Sequence, residues 1–312
     1  MLEVIPLRPV LASKLGAQTD TLFFFLTGMS VFFCVLIFGT IFYFAIRYRR
    51  RDQTIPPVIK YSIPLEVSWI AIPLVLTGVI FVWGARQFFR ESEPPQGAIE
   101  ILVVGKQWMW HLQHSGGQRE INELHIPVDT PVKLTMTSED VIHDFFVPAF
   151  RDKEDVVPGR YTTEWFTATK VGRYHFFCAQ YCGTMHSLMR GWVDVMDPKD
   201  YAAWLVRNKP AQPPSAVGER LFEKLACTNC HQTDGSGSGP SLEGIFGTVV
   251  TLKDGRRQVV DNSFLREKIL DPGSLPIEGY PQVMPSFRGE ITEQEILDVA
   301  AFIKSTQQQG AK

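Results

Sequence analysis

The sequence predicts a multidomain membrane protein, in which a two-helix transmembrane hairpin is followed by an all-β domain and then by an all-α domain. Three observations support this order: two long apolar blocks near the N-terminus, short β-branched and aromatic segments in the middle, and helical periodicity after a Pro-rich stretch. The 312 residues are too many for one typical domain. The net charge of -2, without a long basic run, disfavours nucleic-acid binding.

The apolar blocks predict a transmembrane hairpin over residues 21–90, after an N-terminal segment, residues 1–20, outside the membrane. The first block, Thr21 to Ile46, has no charged residue and is long enough to cross about 30 Å of hydrocarbon. The second block, Ile63 to Phe89, has an apolar interior with Glu66 near its start. An uncleaved signal or a buried core helix is the alternative for the first block.

A basic cluster between the blocks sets the predicted topology. It contains Arg47, Arg49, Arg50 and Arg51, which should stay on the cytoplasmic side. Both termini, and everything after Phe89, then lie outside. We therefore expect a bacterial inner (plasma) membrane protein whose soluble domains face the periplasm.

The soluble part divides at a Pro-rich stretch. Residues 97–198 contain short segments separated by Gly, Pro or Asp turns, which predict a small antiparallel β-barrel or sandwich. Residues 199–215 predict a short amphipathic helix and a stiff linker. Residues 216–312 return to a helical pattern, and Thr292 and Glu295 have the spacing of a capping box at the start of the last helix.

The densest set of candidate metal ligands lies in residues 178–189, the sulfur loop. This loop offers two thiols, an imidazole and a thioether, from Cys178, Cys182, His186 and Met189, and His143 lies upstream. Soft sulfur ligands with imidazole favour copper over hard cations. A single tetrahedral zinc needs fewer ligands, so a two-metal site accounts for the surplus. A disulfide between the two cysteines, or a zinc site, is the alternative.

A second cofactor motif lies after the Pro-rich stretch. Cys227-Thr228-Asn229-Cys230-His231 is the c-type haem attachment signature, in which two thiols form thioethers and the histidine supplies an axial nitrogen. A chance match or a redox dithiol is the alternative. The remaining cysteine, Cys34, lies in the first apolar block, where a small apolar packing role is expected.

The sulfur loop resembles the copper-A loop of cytochrome oxidase subunit II, and the resemblance extends from about Thr21 to Pro198. Gln107-Trp108-Met109-Trp110 looks like the family's Gln-Trp-aromatic-Trp segment, and Asp155 to Arg160 looks like its Asp-Ala-x-Pro-Gly-Arg turn. The resemblance implies a cupredoxin fold. It also implies two coppers bridged by the cysteines, with four further ligands: His143, His186, Met189 and the backbone carbonyl of Gln180.

Gln180 departs from the family, which usually carries Glu at this position. In the family that side chain reaches a magnesium or manganese ion at the boundary with subunit I. A neutral amide is a poorer ligand for a hard dication, so the resemblance does not decide whether such an ion binds here.

The C-terminal part resembles a class I cytochrome c domain. Gly239 to Leu242 looks like the loop that supports the proximal histidine, and Val283 to Phe287 looks like the distal methionine loop. The resemblance implies that Met284 is the second axial ligand, with a core methionine as the alternative. His/Met ligation suits electron transfer rather than oxygen chemistry at this haem.

Together these resemblances imply the electron-transfer subunit of a caa(3)-type haem–copper oxidase, with subunits I and III as partners. Cytochrome c or a quinol-oxidising reductase would be the electron donor, and subunit I would reduce O2 and translocate protons. Trp108 would receive electrons, unless it is only a core aromatic. Glu66 would open a proton path, unless it is a solvated boundary charge. The alternatives are a nitric oxide reductase subunit, a membrane-anchored copper chaperone and a free-standing electron carrier.

Overall fold

The computed structural model of the protein describes residues 9–49 and 61–309. Within these ranges the chain forms two long helices, a β domain (residues 99–196) and a C-terminal domain (residues 214–309) that is mainly helical. This order agrees with the predicted layout of apolar helices, β domain and helical domain.

The two long helices are α1 (Lys14–Arg47) and α2 (Ile63–Ser92). Both are long and apolar enough to cross a membrane, and none of the most apolar 18-residue window of either helix is buried. Exposed apolar faces do not fit the alternative of a buried core helix. Helix α1 starts before Thr21 because its polar first turns continue the helix beyond the apolar block. Arg50 and Arg51 of the basic cluster lie outside the described residues.

The outer ends of the two helices are fixed to each other and to the β domain. The Ser13 hydroxyl caps α1 and donates a hydrogen bond to the Phe150 carbonyl at 2.7 Å. The Gln87 amide donates to Thr19 Oγ1 and to Glu91 Oε1, both at 2.9 Å. The helix pair and the β domain are therefore joined by polar contacts as well as by the chain.

The β domain is a sandwich of two five-stranded sheets, with strand orders β3-β2-β1-β5-β8 and β4-β10-β9-β6-β7. The strands are β1 (Ile99–Lys106), β2 (Met109–His114), β3 (Arg119–Ile121), β4 (Glu123–Pro127), β5 (Pro131–Ser138), β6 (His143–Val147), β7 (Asp152–Val156), β8 (Thr162–Thr167), β9 (Gly172–Cys178) and β10 (Arg190–Met196). The expectation of a wholly antiparallel domain needs correction, because β1 pairs with β5 and β4 pairs with β10 in parallel. Strand alternation fixes which side chains face inward but not the direction of the neighbouring strand.

Large aromatic side chains fill the space between the sheets. Trp110, Phe145 and Phe176 are fully buried, and the Phe145 and Phe176 rings stack at a centroid distance of 4.6 Å. Trp110 meets Phe145 edge to face at 5.1 Å. This core supports the strand ends that carry His143 and Cys178.

A short helix, α3 (Pro198–Arg207), packs against the β domain before the Pro-rich stretch. Its Trp204 ring stacks on His125 at 4.7 Å, and its Tyr201 hydroxyl bonds His114 Nδ1 at 3.0 Å. The Glu120 carboxylate bonds both histidines. These contacts hold the amphipathic helix on the β domain.

The C-terminal domain contains α4 (Pro214–Lys224), α5 (Asn262–Leu270) and α6 (Glu293–Gln309). A two-stranded antiparallel hairpin, β11 (Val249–Thr251) and β12 (Arg257–Val259), is an addition that the sequence pattern did not predict. The capping box is confirmed: the Thr292 amide donates to Glu295 Oε2 at 2.9 Å, and the Glu295 amide donates to Thr292 Oγ1 at 3.2 Å.

Gly218 permits the close crossing of α4 and α6. A Cβ atom at this position would lie 1.9 Å from the Asp298 carbonyl oxygen. We expect Gly218→Ala to destabilise the C-terminal domain by about 1–3 kcal/mol or more, because backbone must move to accept the methyl group. Thermal unfolding measures this loss. Glu219→Ala, at an exposed position on the same helix, is the control and should change stability little; equal stability of the two variants would contradict the packing argument.

Candidate metal and haem centres

The pairing of β6 with β9 brings the candidate metal ligands together. Phe145 pairs with Cys178 and Phe146 with Phe177, so that the start of β6 lies beside the end of β9. The sulfur loop begins where β9 ends, and the Cys178 amide donates to the Met189 carbonyl at 2.9 Å. This bond closes the base of the loop, so its two ends are held together.

The sulfur and nitrogen atoms of the loop lie within a few ångströms of each other. Cys178 Sγ lies 3.7 Å from Cys182 Sγ and 3.9 Å from His143 Nδ1. Cys182 Sγ lies 3.4 Å from His186 Nδ1 and 3.7 Å from Met189 Sδ. His143, Cys178 and Cys182 form a buried group whose ligand atoms all lie within 4.8 Å of one another.

The backbone at Gln180 completes the group. Its carbonyl oxygen lies 3.1 Å from Cys178 Sγ, while its side chain is exposed. The two cysteines are not bonded to each other, since their sulfurs are too far apart for a disulfide. All six residues singled out by the sequence for this centre therefore converge in one place.

Asp140 orients the His143 ring, a role that the sequence analysis did not assign. Asp140 Oδ1 bonds His143 Nε2 at 2.8 Å, which leaves Nδ1 directed to the sulfur side. The carboxylate also accepts hydrogen bonds from the amides of Gln107 and Val141. These hydrogen bonds are among the interactions that hold the pKa of Asp140 below its usual range, against the opposing effect of burial. Its spacing of three residues from His143 was the signal in the sequence.

Trp108 and Gln107 bind the backbone of the loop. The Trp108 indole N–H donates to the Cys182 carbonyl at 3.1 Å, and the Gln107 amide donates to the same oxygen at 2.8 Å. Trp108 is half-buried and packs against the core of the β domain. The ring thus touches both the hydrophobic core and the candidate metal centre.

The donor set fits a soft metal centre. Burial, and next the nearby Cys178, raise the pKa of the Cys182 thiol to about 12. This thiol carries no charge at neutral pH, so a soft cation that binds Cys182 as a thiolate must displace its proton. Two sulfurs, two imidazoles, a thioether and a carbonyl suit copper, and they provide enough ligands for two ions.

A second candidate site is a cavity of about 540 Å³ in the C-terminal domain. Its size is within the range of about 300–1,000 Å³ for pockets that hold small molecules and cofactors. Cys227, Cys230, His231 and Met284 all line it, and most of the other lining residues are apolar. The attachment motif and the predicted methionine loop are thus brought to one cavity although they are distant in sequence.

His231 is held by the Gly239–Pro240 loop. His231 Nδ1 bonds the Pro240 carbonyl oxygen at 2.8 Å, so the carbonyl fixes this nitrogen as the donor and leaves Nε2 as the free acceptor. A Cβ at Gly239 would lie 2.7 Å from the ring, so the loop approaches as closely as a glycine allows. Burial lowers the pKa of His231, which favours the neutral ring needed for a metal ligand. The cavity therefore fits a covalently attached haem.

Glu66 and His175 lie apart from these centres. Glu66 is half-buried in the first turn of α2. His175 lies on β9 directly opposite Trp192, and the two ring centroids are 3.4 Å apart. Strand alternation puts His175 on the opposite face from Cys178, where its ring packs on Trp192.

Comparison with known proteins agrees with this geometry. Residues 118–196 match the family described as cytochrome c oxidase subunit II, periplasmic domain, and residues 215–307 match the cytochrome c family. A cytochrome c oxidase subunit 2 from Synechocystis sp. is 30% identical, over 66% of this chain and 76% of that protein. The chain belongs to the cytochrome c oxidase subunit 2 family. A second member, from Alkalihalophilus pseudofirmus, is 27% identical over 87% of this chain and 82% of its own length.

Among solved structures, the periplasmic domain of subunit II of cytochrome oxidase (CoxB) of Bradyrhizobium japonicum is similar at 30% identity. The match covers 38% of this chain and 97% of the solved chain, with a TM-score of 0.36.

As a member of the cytochrome c oxidase subunit 2 family, the chain is a component of an oxidoreductase complex with an electron-transfer role. Its cytochrome c match implies haem c, and its subunit II match implies copper A. The two apolar helices anchor it in a membrane, and residues 118–196 belong to the periplasmic part.

Proposed function

We propose that this chain passes electrons from a haem in the C-terminal domain to a dinuclear copper centre in the sulfur loop, and from there to a catalytic subunit I that reduces O2. When bound, the two groups supply one-electron carriers that need no acid, base or open coordination position. The observation that carries the proposal is the convergence of His143 from β6 with Cys178, Cys182, His186 and Met189 from the sulfur loop.

On the copper side, the thiols of Cys178 and Cys182 and the imidazoles of His143 and His186 would hold the two ions. Met189 and the Gln180 carbonyl would be the weak ligands. The rigid setting of these atoms, in a loop closed at its base and bonded through the Cys182 carbonyl, keeps ligand positions nearly constant between oxidation states. Small rearrangement on redox cycling favours fast electron transfer.

On the haem side, Cys227 and Cys230 would hold the group through thioether links, and His231 and Met284 would be the ligands to its iron. In this mostly apolar cavity the haem would supply one-electron chemistry. An external donor such as cytochrome c or a quinol-oxidising reductase would reduce the haem, and Trp108 would be the point at which electrons enter the copper centre. Glu66 would open the proton path into subunit I, in an inner membrane complex that also contains subunit III.

The test is rapid-mixing kinetics on the purified complex. A pulse of reduced donor should reduce the haem first and the copper second, and O2 consumption should follow the copper step. Simultaneous reduction of both centres by the donor would contradict the proposed order. Glu66→Gln should slow proton uptake without changing the first two steps; unchanged turnover and proton uptake would remove the proposed proton path.

Removal of the Asp140 carboxylate should weaken copper binding without removing a ligand. We expect Asp140→Ala to lower copper affinity by about 10–100-fold, the usual effect of losing a group that orients a ligating histidine. Competition with a copper chelator measures this loss. Glu139→Ala, which removes the neighbouring carboxylate paired with Lys106, is the matched control and should keep the affinity of the parent chain.

Copper loading should depend on pH. Because the pKa of Cys182 is about 12 in the metal-free site, the thiol is protonated at neutral pH and each bound thiolate displaces a proton. The apparent affinity should therefore rise with pH, by about tenfold per pH unit for each proton displaced. Copper titrations of the metal-free chain at several pH values above 7 test whether the affinity rises with pH. A pH-independent affinity would mean that the thiols do not bind as thiolates.

A further inference from the structure

The Pro-rich stretch, residues 210–215, and the end of α3 before it contact the β domain. The Gln118 amide donates to the Leu205 carbonyl at 2.9 Å. A Cβ at Gly117 would lie 2.6 Å from Pro214 Cδ and 3.0 Å from Pro210 Cγ, so the turn between β2 and β3 touches both prolines. A tether held in this way restricts the positions that the C-terminal domain can take.

The first contact between the C-terminal domain and the β domain is an ion pair between Asp298 and Arg119. Asp298 on α6 is only 2% exposed, and Arg119 Nη2 donates to its two oxygens at 2.8 and 3.1 Å. Gln113 links the same group: its carbonyl oxygen accepts from Arg119 Nε at 2.9 Å and from Gln294 Nε2 at 2.5 Å. Among the described residues, every hydrogen bond recorded for the Asp298 carboxylate comes from the β domain.

A second contact between the domains is made by Arg266, which also belongs to a buried ion pair. Arg266 and Glu293 pair within the C-terminal domain, and both are at most 9% exposed. The remaining guanidinium nitrogen, Nη1, donates to the Gly159 carbonyl of the β domain at 2.6 Å. A single planar guanidinium thus satisfies a partner in each domain.

A cleft between the two domains lies beside the Arg266–Gly159 contact. Ser138, Glu139 and Gly159 line it on the β domain, next to Asp140, which orients His143. On the opposite side, Ile291 lines both this cleft and the 540 Å³ cavity. The haem cavity and the β-domain segment that precedes Asp140 and His143 therefore border the same cleft.

We propose that the C-terminal domain is docked on the β domain in one orientation, through the Arg119–Asp298 and Arg266–Gly159 contacts, and that this orientation directs the haem cavity toward the His143 side of the copper centre. The role of this docking in electron transfer rests on the proposed function. Arg119 and Asp298 are then positioning residues, and the tether is an ordered connection with little freedom.

The experiment compares the full chain in its complex with Arg119→Gln and Asp298→Asn. One readout is the spin relaxation of the copper signal, which a nearby oxidised haem iron accelerates steeply with proximity. The other is the rate of electron transfer from haem to copper. We expect slower copper relaxation and an about tenfold lower rate in each variant, the scale of one lost charge-assisted pair. The double variant should add little more, because both changes remove the same contact.

Arg173→Gln is the matched control, because Arg173 is an exposed arginine that pairs with Glu123 and Asp194 inside the β domain. It should leave both readouts unchanged. Asp298→Asn changes a residue of α6, whereas Arg119→Gln leaves the sequence of the C-terminal domain unchanged. The thermal stability of that domain is measured in parallel for both variants. Relaxation and rate within twofold of the parent chain in Arg119→Gln would overturn the docking.

The two proposals fail in different ways. If the parent chain shows no electron transfer from haem to copper, the proposed function fails, while the relaxation readout still reports whether the domains are docked. If transfer is fast in the parent chain and in both variants, the relay stands and the docked orientation is wrong.

Discussion

Cys182→Ser should abolish the copper centre and with it all donor-dependent O2 consumption by the complex. Cys182 Sγ lies within 3.7 Å of three other candidate ligand atoms, from Cys178, His186 and Met189, so its loss removes the atom that connects both halves of the site. A serine hydroxyl is a harder donor than a thiolate and is a poor ligand for soft copper. The expected result is fewer than two coppers per chain, with turnover at background.

The haem spectrum serves as the internal standard for this variant, because the C-terminal cavity should be untouched. Cys34→Ser is the control: Cys34 lies exposed on α1, away from both centres, and its loss should leave copper content and turnover unchanged. Normal copper content in Cys182→Ser would contradict the assignment of the sulfur loop.

The double variant Cys227→Ala with Cys230→Ala should lose the covalent haem and destabilise the C-terminal domain. The hydrophobic core of this domain surrounds the 540 Å³ cavity. Without haem, core side chains that line the cavity, such as Phe264 and Ile303, lose packing contacts on that side. A ligand that binds only the folded state adds its binding free energy to stability, and that contribution disappears here.

Haem staining of the denatured chain measures attachment, and thermal unfolding measures stability. The β domain should keep its copper signal, because its ligands are all contributed by residues 143–189. Covalent haem retained by the double variant would show that the cavity residues are not the attachment site. Met284→Ala gives a graded comparison: attachment should persist, and the haem should change its axial ligation.

Local patterns were sufficient to predict the two long helices, the β domain, the capped last helix and most of the candidate ligands. The sulfur loop spans twelve residues, so spacing alone brings Cys178, Cys182, His186 and Met189 together once the loop closes. His143 was predicted as a ligand because it lies at the start of an extended segment and because of the family resemblance. Its actual approach depends on the pairing of β6 with β9, which no local pattern encodes.

Contacts between distant segments could not be predicted in the same way. Arg119 and Asp298 are far apart in sequence, and each alone is typical of a solvated surface charge. The parallel pairing of β1 with β5 was missed because alternation is identical in parallel and antiparallel strands. The start of α1 at Lys14 was missed because hydropathy marks the apolar part of a helix and not its polar extension.

The most direct test of the account is a metal and haem analysis of the purified complex, combined with the electron paramagnetic resonance of its copper. The account predicts two coppers and one covalent haem on this chain, with one unpaired electron shared between the two coppers. A single zinc in the sulfur loop, or a disulfide between Cys178 and Cys182, would contradict it.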